Sequence, residues 1–189
     1  MHRKPLYQLV LSSMFFAIGL VLPFFTGQIP EIGNMLLPMH IPVLLCGLVV
    51  GWQYGAAVGA LLPIVRSLIF GMPLMFPSAV AMAFELSVYG CFVGLLFGLL
   101  PKKNLATLYL SLISAMLLGR AVWGCVMTLL LSVGGSGFAF SAFLSGAFLS
   151  AIPGIVLQLV LIPSVMLVLD RTRLCPWRTQ KKTPSDTEG

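Results

Sequence analysis

Long apolar runs alternate with short breaks along this chain. The first run covers residues 6–25, and a segment rich in proline and glycine follows at residues 26–40. Later runs cover residues 41–100, 105–133 and 140–169. About 20 apolar residues are needed for a helix to cross the ~30 Å hydrocarbon core of a bilayer. The pattern therefore predicts an all-α integral membrane bundle, and the first run is too long for a signal-peptide core.

The positions of the basic residues indicate how many spans there are. Lysine and arginine collect on the cytoplasmic side of a membrane protein. Here they occur at Arg3 and Lys4, at Lys102 and Lys103, and again after residue 170. An even number of spans must therefore separate these segments, which makes both termini cytoplasmic. Six spans satisfy this rule if residues 52–54 form a cytoplasmic turn between two short spans, at 41–52 and 55–71.

An alternative arrangement exists for the second run, because residues 41–71 are short for two crossings. In it, residues 41–62 form a single helix that ends at Pro63. That arrangement has five spans and leaves Lys102 and Lys103 outside, against the charge rule. We therefore predict a six-span membrane domain at residues 1–173. A disordered cytoplasmic tail follows at residues 174–189, and its basic residues are attracted to anionic lipid.

Composition excludes several classes of protein. Apolar residues make up 59% of the chain and charged residues 8%, with a mean hydropathy of +1.04, whereas soluble domains carry about 25% charged residues. The net charge of +6 arises mostly at the chain ends and in one turn, which is not the pattern of a nucleic-acid surface. The cysteines lack the spacing of a disulfide framework or a metal site. They are Cys46, Cys91, Cys125 and Cys175.

Motifs of enzymes and of independent transporters are absent from the sequence. It contains no phosphate-binding loop of the Walker type, no nucleophile elbow and no cluster of metal ligands. No internal duplication of the kind found in secondary transporters is visible. We therefore predict no enzymatic activity, no cofactor and no metal. We expect a subunit that binds a solute and takes its energy from another protein.

Three ionisable residues lie inside predicted spans: Arg66, Glu85 and Arg120. Such residues are costly in a membrane and usually mark a site or a pathway. At a helical rise of about 1.5 Å per residue, all three can meet in the outer half of the bundle. Glu85 neutralises one arginine, and the other then fits an anion, because an arginine fork holds a carboxylate by two hydrogen bonds. Two alternatives stay open: a structural ion pair, or an arginine that reaches the interface.

Other polar side chains can line a binding pocket together with these charged residues. The loop at residues 26–40 contains Asn34 and ends at His40, while Trp123 and Gln158 lie inside later spans. Irregular backbone near membrane depth is tolerated where it lines a cavity. We therefore add His40, Asn34, Trp123 and Gln158 to the candidate substrate-binding residues. Ordinary connecting loops and packing side chains would show the same pattern.

Small residues recur every four positions in three segments. They are Gly47, Gly51, Gly55 and Gly59, then Gly90, Gly94 and Gly98, and the pair Ser13 and Ala17 in the first helix. This spacing lets two helix backbones approach closely. For the glycine rows we favour packing inside the bundle. For Ser13 and Ala17, internal packing and docking to another membrane subunit both stay open.

Over residues 6–170 the chain resembles the substrate-binding (S) components of energy-coupling factor (ECF) vitamin transporters. The resemblance rests on the six-span layout, on short second and third spans and on a long first outer loop. It rests also on the small residues Ser13 and Ala17 and on two local patterns. These patterns are His-Ile-Pro-Val-Leu-Leu-Cys-Gly at residues 40–47 and the series Gly51, Gly55, Gly59 and Pro63.

The resemblance implies a bacterial plasma-membrane protein that captures a vitamin or precursor in a pocket made by the outer loops and spans 4–6. The pocket would contain Arg120, Glu85 and Arg66. A transmembrane coupling subunit would dock at Ser13 and Ala17, where the family has an Ala-xxx-Ala motif, and two ATPase subunits would drive import. The charges favour a carboxylate, with pantothenate first and folate or biotin next. The alternative is a structural membrane protein of the cell-shape apparatus (MreD-like), which would not need buried arginines.

Overall fold

The computed structural model describes residues 5–26, 38–101, 103–133 and 152–171. A 3₁₀ segment, Leu22–Thr26, extends the first helix, and a π-helical turn, Met75–Ala79, precedes the fourth. Within these residues there is no strand, so the prediction of an all-α membrane bundle is confirmed. The described residues form six α-helices: α1 (Pro5–Val21), α2 (His40–Val49), α3 (Trp52–Phe70), α4 (Val80–Leu99), α5 (Leu105–Val133) and α6 (Ile152–Arg171).

Five segments of the described chain are long and apolar enough to cross a membrane. They are Pro5–Phe24, Trp52–Phe70, Met75–Leu99, Leu105–Ser132 and Ile152–Arg171. The one described helix that is too short for this criterion is α2, which corresponds to the predicted short second span. Its 10 residues reach about 15 Å. The third span is longer than predicted, because α3 has 19 residues. Residues 140–151 of the predicted last span, and the tail at 174–189, lie outside the described residues.

The chain turns sharply between α2 and α3 at Val50 and Gly51. Gly51 has a φ of +131°, a backbone conformation that glycine adopts far more readily than other residues. The alternative of one helix over residues 41–62 is therefore wrong. The predicted turn at residues 52–54 is also misplaced, because Trp52 already begins α3. Pro63 lies inside α3, where a membrane helix tolerates it if neighbouring groups satisfy the freed carbonyl.

Glycines let α2, α3 and α4 pack backbone against backbone. A Cβ atom on Gly55 would lie 2.7 Å from the Cα atom of Gly47 and 2.7 Å from the carbonyl oxygen of Gly90. A Cβ atom on Gly59 would overlap the backbone of α4 at Leu86. Real Cβ atoms do not approach other atoms so closely, so these positions have no room for a side chain. The prediction that the glycine rows pack inside the bundle is confirmed at these positions.

α2 lies at the centre of the bundle. Nine of its ten residues are buried, and it contacts α1, α3, α4 and α6. Its apolar side chains join one core with residues of all the other described helices, among them Phe15 of α1 and Met166 of α6. This central position also brings the first residue of α2, His40, into the interior beside α4.

Candidate functional site

A buried polar cluster forms around the carboxylate of Glu85 on α4. The hydroxyl of Tyr89 donates a hydrogen bond of 3.0 Å to Oε1 of Glu85. Nη1 of Arg120 lies 3.2 Å from the same oxygen, and Nε2 of His40 lies 3.5 Å from it. Glu85, Tyr89 and His40 are each 1% exposed and Arg120 is 6% exposed. We call these four residues the Glu85 cluster.

Helix register and the missing side chain at Gly119 bring the Glu85 cluster together. Glu85 and Tyr89 are four residues apart and therefore share a face of α4. The Tyr89 ring lies directly on Gly119 of α5, where a Cβ atom would overlap the ring. Gly119 is the residue before Arg120, so the ring that holds Glu85 also packs beside the arginine. The His40 ring stands 5.2 Å from the Tyr89 ring, centroid to centroid.

The arrangement fits a carboxylate that is ionised inside the bundle. A charge buried without partners is very costly, whereas one with an opposite charge and hydrogen-bond donors is tolerated. Removing one partner from such a buried pair typically costs about 3–5 kcal/mol. Because Tyr89 also donates a hydrogen bond to Oε1, Arg120 is not the sole group that stabilises the Glu85 charge.

One edge of the Arg120 guanidinium lacks hydrogen-bond partners among the described residues. Glu85 occupies Nη1, while Nε and Nη2 are buried and have no hydrogen-bond partner among the described residues. Nε and Nη2 form the side edge of the guanidinium, whose two parallel N–H groups match the two oxygens of a carboxylate or phosphate. Both ring nitrogens of His40 are likewise buried without a hydrogen-bond partner in the described part of the chain, although Nε2 lies 3.5 Å from Oε1 of Glu85. The cluster can therefore accept an anion.

Arg66 does not join the Glu85 cluster, so the expectation that all three charged residues meet is wrong. Its Nη1 donates a 2.7 Å hydrogen bond to the carbonyl oxygen of Leu20 on α1. Its guanidinium carbon lies 5.3 Å from the ring centroid of Phe24 and 5.5 Å from that of Phe70. Arg66 is thus held between the end of α1 and the end of α3.

Leu20 lies in the last turn of α1, where backbone carbonyls lack partners within the helix. Arg66 supplies a donor to one of these carbonyls. The cation–π contacts with two phenylalanine rings add to this hydrogen bond, at about 0.5–2 kcal/mol each. Nothing in the sequence alone shows that Arg66 reaches the end of α1.

The other candidate binding residues differ in how far the structure describes them. Gln158 of α6 is fully buried, and both polar atoms of its side chain lack a partner among the described residues. Trp123 is half-buried on α5, one turn beyond Arg120. Asn34 lies outside the described residues. Roles for these side chains in solute binding stay predictions.

Gly119 and Tyr89 were not among the site residues predicted from the sequence. The spacing of four residues between Glu85 and Tyr89 was a usable signal, since it places both on one helix face. The glycine at position 119, directly before Arg120, was a second signal. Neither reveals by itself that the Tyr89 ring occupies the space above Gly119.

Ser13 and Ala17 lie on the outer face of α1. Both are exposed, and the Ser13 hydroxyl donates to the carbonyl oxygen of Leu9 at 2.9 Å, so its polarity is satisfied within the helix. Ala17 lines an open apolar groove with neighbouring residues of α1 and the 3₁₀ segment. Among the five candidate spans, the one containing α1 is the least covered, with 17% of its most apolar window buried against 28–50% for the others.

Comparison with known proteins gives one match. The profile of the family described as "ECF transporter, substrate-specific component" matches residues 7–166 of the chain. No curated protein and no solved structure matches the chain. The matched range contains α2 to α5 completely and every residue of the Glu85 cluster.

Proposed function

Because the chain belongs to the substrate-specific components of ECF transporters, we propose that it captures a small carboxylate-bearing vitamin or precursor at Arg120. Membership makes the chain a multi-pass membrane protein and the substrate-binding subunit of an ECF importer, which works with coupling and ATPase subunits. Pantothenate is the first candidate solute, followed by folate and biotin. The proposed location is the bacterial plasma membrane.

The unpaired Nε–Nη2 edge of Arg120 is the observation that supports a carboxylate as the solute. Its Nε and Nη2 atoms are buried together and lack partners in the described chain. Leaving two buried donors unsatisfied costs about 1–3 kcal/mol for each group, and a bound carboxylate would remove that cost. A cationic solute would instead face the arginine. The same unpaired edge favours a binding site over a closed structural ion pair.

Glu85 has a supporting role in this proposal. It orients Arg120 through Nη1 and leaves the side edge free. A bound carboxylate adds a second negative charge near Glu85, which would be unfavourable if Arg120 were the only compensating group. The hydrogen bond that Tyr89 donates to Oε1 of Glu85 reduces that repulsion. His40, Trp123, Asn34 and Gln158 are proposed to line the rest of the pocket.

The outer face of α1 is the proposed docking surface for the coupling subunit. It is apolar, exposed and least covered by the rest of the chain, and Ser13 and Ala17 allow close approach of another helix. The whole binding function is proposed to reside in residues 1–173. The basic tail at 174–189 has no assigned part in capture.

Ligand identification with an arginine-to-lysine pair of variants tests the proposal. Small molecules that remain bound to gently purified protein are identified by mass spectrometry, and thermal shifts are measured with pantothenate, folate, biotin and the cation thiamine. Arg120→Lys keeps a positive charge for Glu85 but loses the Nε–Nη2 edge that can bind a carboxylate by two hydrogen bonds. We expect the Kd for the carboxylate to rise about 10- to 100-fold, from the loss of about 1.5–3 kcal/mol of charged hydrogen bonding.

Arg171→Lys is the matched control, because Arg171 is exposed at the end of α6 and lies outside the cluster. It should bind like the wild type. Wild-type affinity in Arg120→Lys, or a thermal shift with thiamine alone, would contradict the proposal. Either result would leave membership of the family intact and remove the assignment of a carboxylate substrate.

A further inference from the structure

We propose that Gln158 binds a second, uncharged group of the solute that carries both a hydrogen-bond donor and an acceptor, as an amide or a ureide does. This inference rests on the proposed function, because it assigns the far end of the same solute. The substrate class then becomes carboxylates that also contain an amide-type group. The supporting observation is a side chain separate from the Glu85 cluster.

Gln158 is buried without satisfying its side-chain amide. It is 0% exposed, and neither Nε2 nor Oε1 has a hydrogen-bond partner among the described residues. Buried polar atoms in native proteins are nearly always paired. An amide with both atoms unpaired is therefore costly in the empty bundle. A solute that pairs with both atoms recovers that cost on binding.

The register of α6 directs Gln158 into the bundle. Gly154, Gln158, Ile162 and Met166 recur every four residues and are all buried, so they form the inward face of the helix. Ile162 and Met166 belong to the same core as Tyr89. Gln158 therefore lies on the face that packs against the rest of the protein, while Val160 points outward at 62% exposed.

The neighbours of α6 connect Gln158 to the Glu85 cluster. α6 contacts α2 and α5, the helices that carry His40 and Arg120. We therefore place the second group of a solute held by Arg120 on the inward face of α6.

The chemistry of a side-chain amide selects its partner. Nε2 donates and Oε1 accepts, side by side, so the complementary edge has an acceptor beside a donor. An amide or ureide edge makes two nearly linear hydrogen bonds with it. A single hydroxyl can contact both atoms only through bent bonds, which are weaker. A second carboxylate would place an anion against Oε1 and is rejected.

The test compares solutes that contain both groups with solutes that contain one. Pantothenate has a carboxylate and an amide, and biotin has a carboxylate and a ureide. Lipoate has a carboxylate alone, and panthenol has the amide of pantothenate with an alcohol in place of its carboxylate. Kd values are measured by titration calorimetry on the full-length protein in nanodiscs, for the wild type and for Gln158→Met. Val160→Met, a lipid-facing position on the same helix, is the control.

We expect the wild type to bind pantothenate or biotin more tightly than lipoate. Gln158→Met should weaken binding of that amide-bearing solute about 10- to 100-fold and leave the affinity for lipoate unchanged. The variant without solute should melt at the same temperature as the wild type or higher, because an isosteric apolar side chain replaces an unsatisfied amide. A structural role for Gln158 would instead lower the melting temperature.

The inference is overturned if Gln158→Met retains wild-type affinity for the amide-bearing solute, or if lipoate binds as tightly as pantothenate and biotin. Failure of both pantothenate and biotin to bind the wild type also overturns it. Failure of the proposed function has a different signature. In that case panthenol binds as well as pantothenate, and Arg120→Lys leaves both affinities unchanged.

Discussion

Gly119→Ala is expected to disrupt the Glu85 cluster from outside it. The new Cβ atom would overlap two ring carbons of Tyr89 and lie 3.1 Å from its Cζ. The ring is almost completely buried and has His40 on another side, so it cannot move without disturbing the cluster. The hydroxyl of Tyr89 then loses its 3.0 Å hydrogen bond to Glu85.

The expected cost has two parts. Overpacking a well-packed site costs about 1–3 kcal/mol, and loss of a hydrogen bond to a charged group costs about 1.5–3 kcal/mol. The total is about 2.5–6 kcal/mol, and a chain of this length loses about 2–4 °C in Tm per kcal/mol. A fall in Tm of about 5 °C or more is therefore expected. Solute affinity should fall as well, because Glu85 no longer orients Arg120.

Thermal unfolding in detergent and titration with the identified solute measure the two effects. Gly98→Ala is the matched control, since a Cβ atom there meets nothing within 4 Å, and alanine in a helix is favoured over glycine by about 0.5–1 kcal/mol. A double variant with Tyr89→Leu should recover part of the lost stability, because the smaller side chain removes the overlap. If Gly119→Ala melts and binds like Gly98→Ala, the assigned packing of Tyr89 on α5 is wrong.

Two further predictions concern α1 and its partners. Arg66→Gln should lower the free energy of unfolding by about 1–3 kcal/mol, because it removes cation–π contacts and a charged hydrogen bond. The Kd for the solute should change less than about threefold. Reduced affinity at unchanged Tm would instead place Arg66 in the pocket. Ser13→Leu should leave solute Kd unchanged and reduce uptake into proteoliposomes that contain the coupling and ATPase subunits. The exposed apolar swap Met14→Leu is its control, and normal uptake by Ser13→Leu would show that this face does not dock.

Local sequence signals predicted the helices well because the membrane makes their requirements simple. Uninterrupted apolar length identifies a span, and the break between α2 and α3 follows from a glycine, Gly51, that alone accepts its positive φ. The glycine rows predicted close packing correctly at Gly47, Gly55 and Gly90, which have no space for a side chain, but not at Gly98, where a Cβ atom would meet nothing within 4 Å. The turn was misplaced because Trp52 and its neighbours look interfacial yet continue the helix.

The candidate site was predicted less completely, because partner choice depends on three-dimensional distances. Glu85 and Arg120 were expected to pair, and they do. Arg66 was expected nearby on the basis of depth alone. Depth places a residue along the membrane normal but not around the bundle, and Arg66 faces α1 rather than α4. The contribution of Gly119 could not be read from one sequence, since a single glycine gives no sign of which ring covers it.

The buried charges connect different pairs of helices. Glu85 and Arg120 join α4 to α5, with His40 of α2 beside them, whereas Arg66 joins α3 to α1. Glycine contacts pack the backbones of α2, α3 and α4 closely against one another, and tightly packed backbones deform little. If the solute binds at Arg120 and the coupling subunit docks on α1, as proposed, we expect a change at one site to reach the other mainly as movement of this packed unit as a whole.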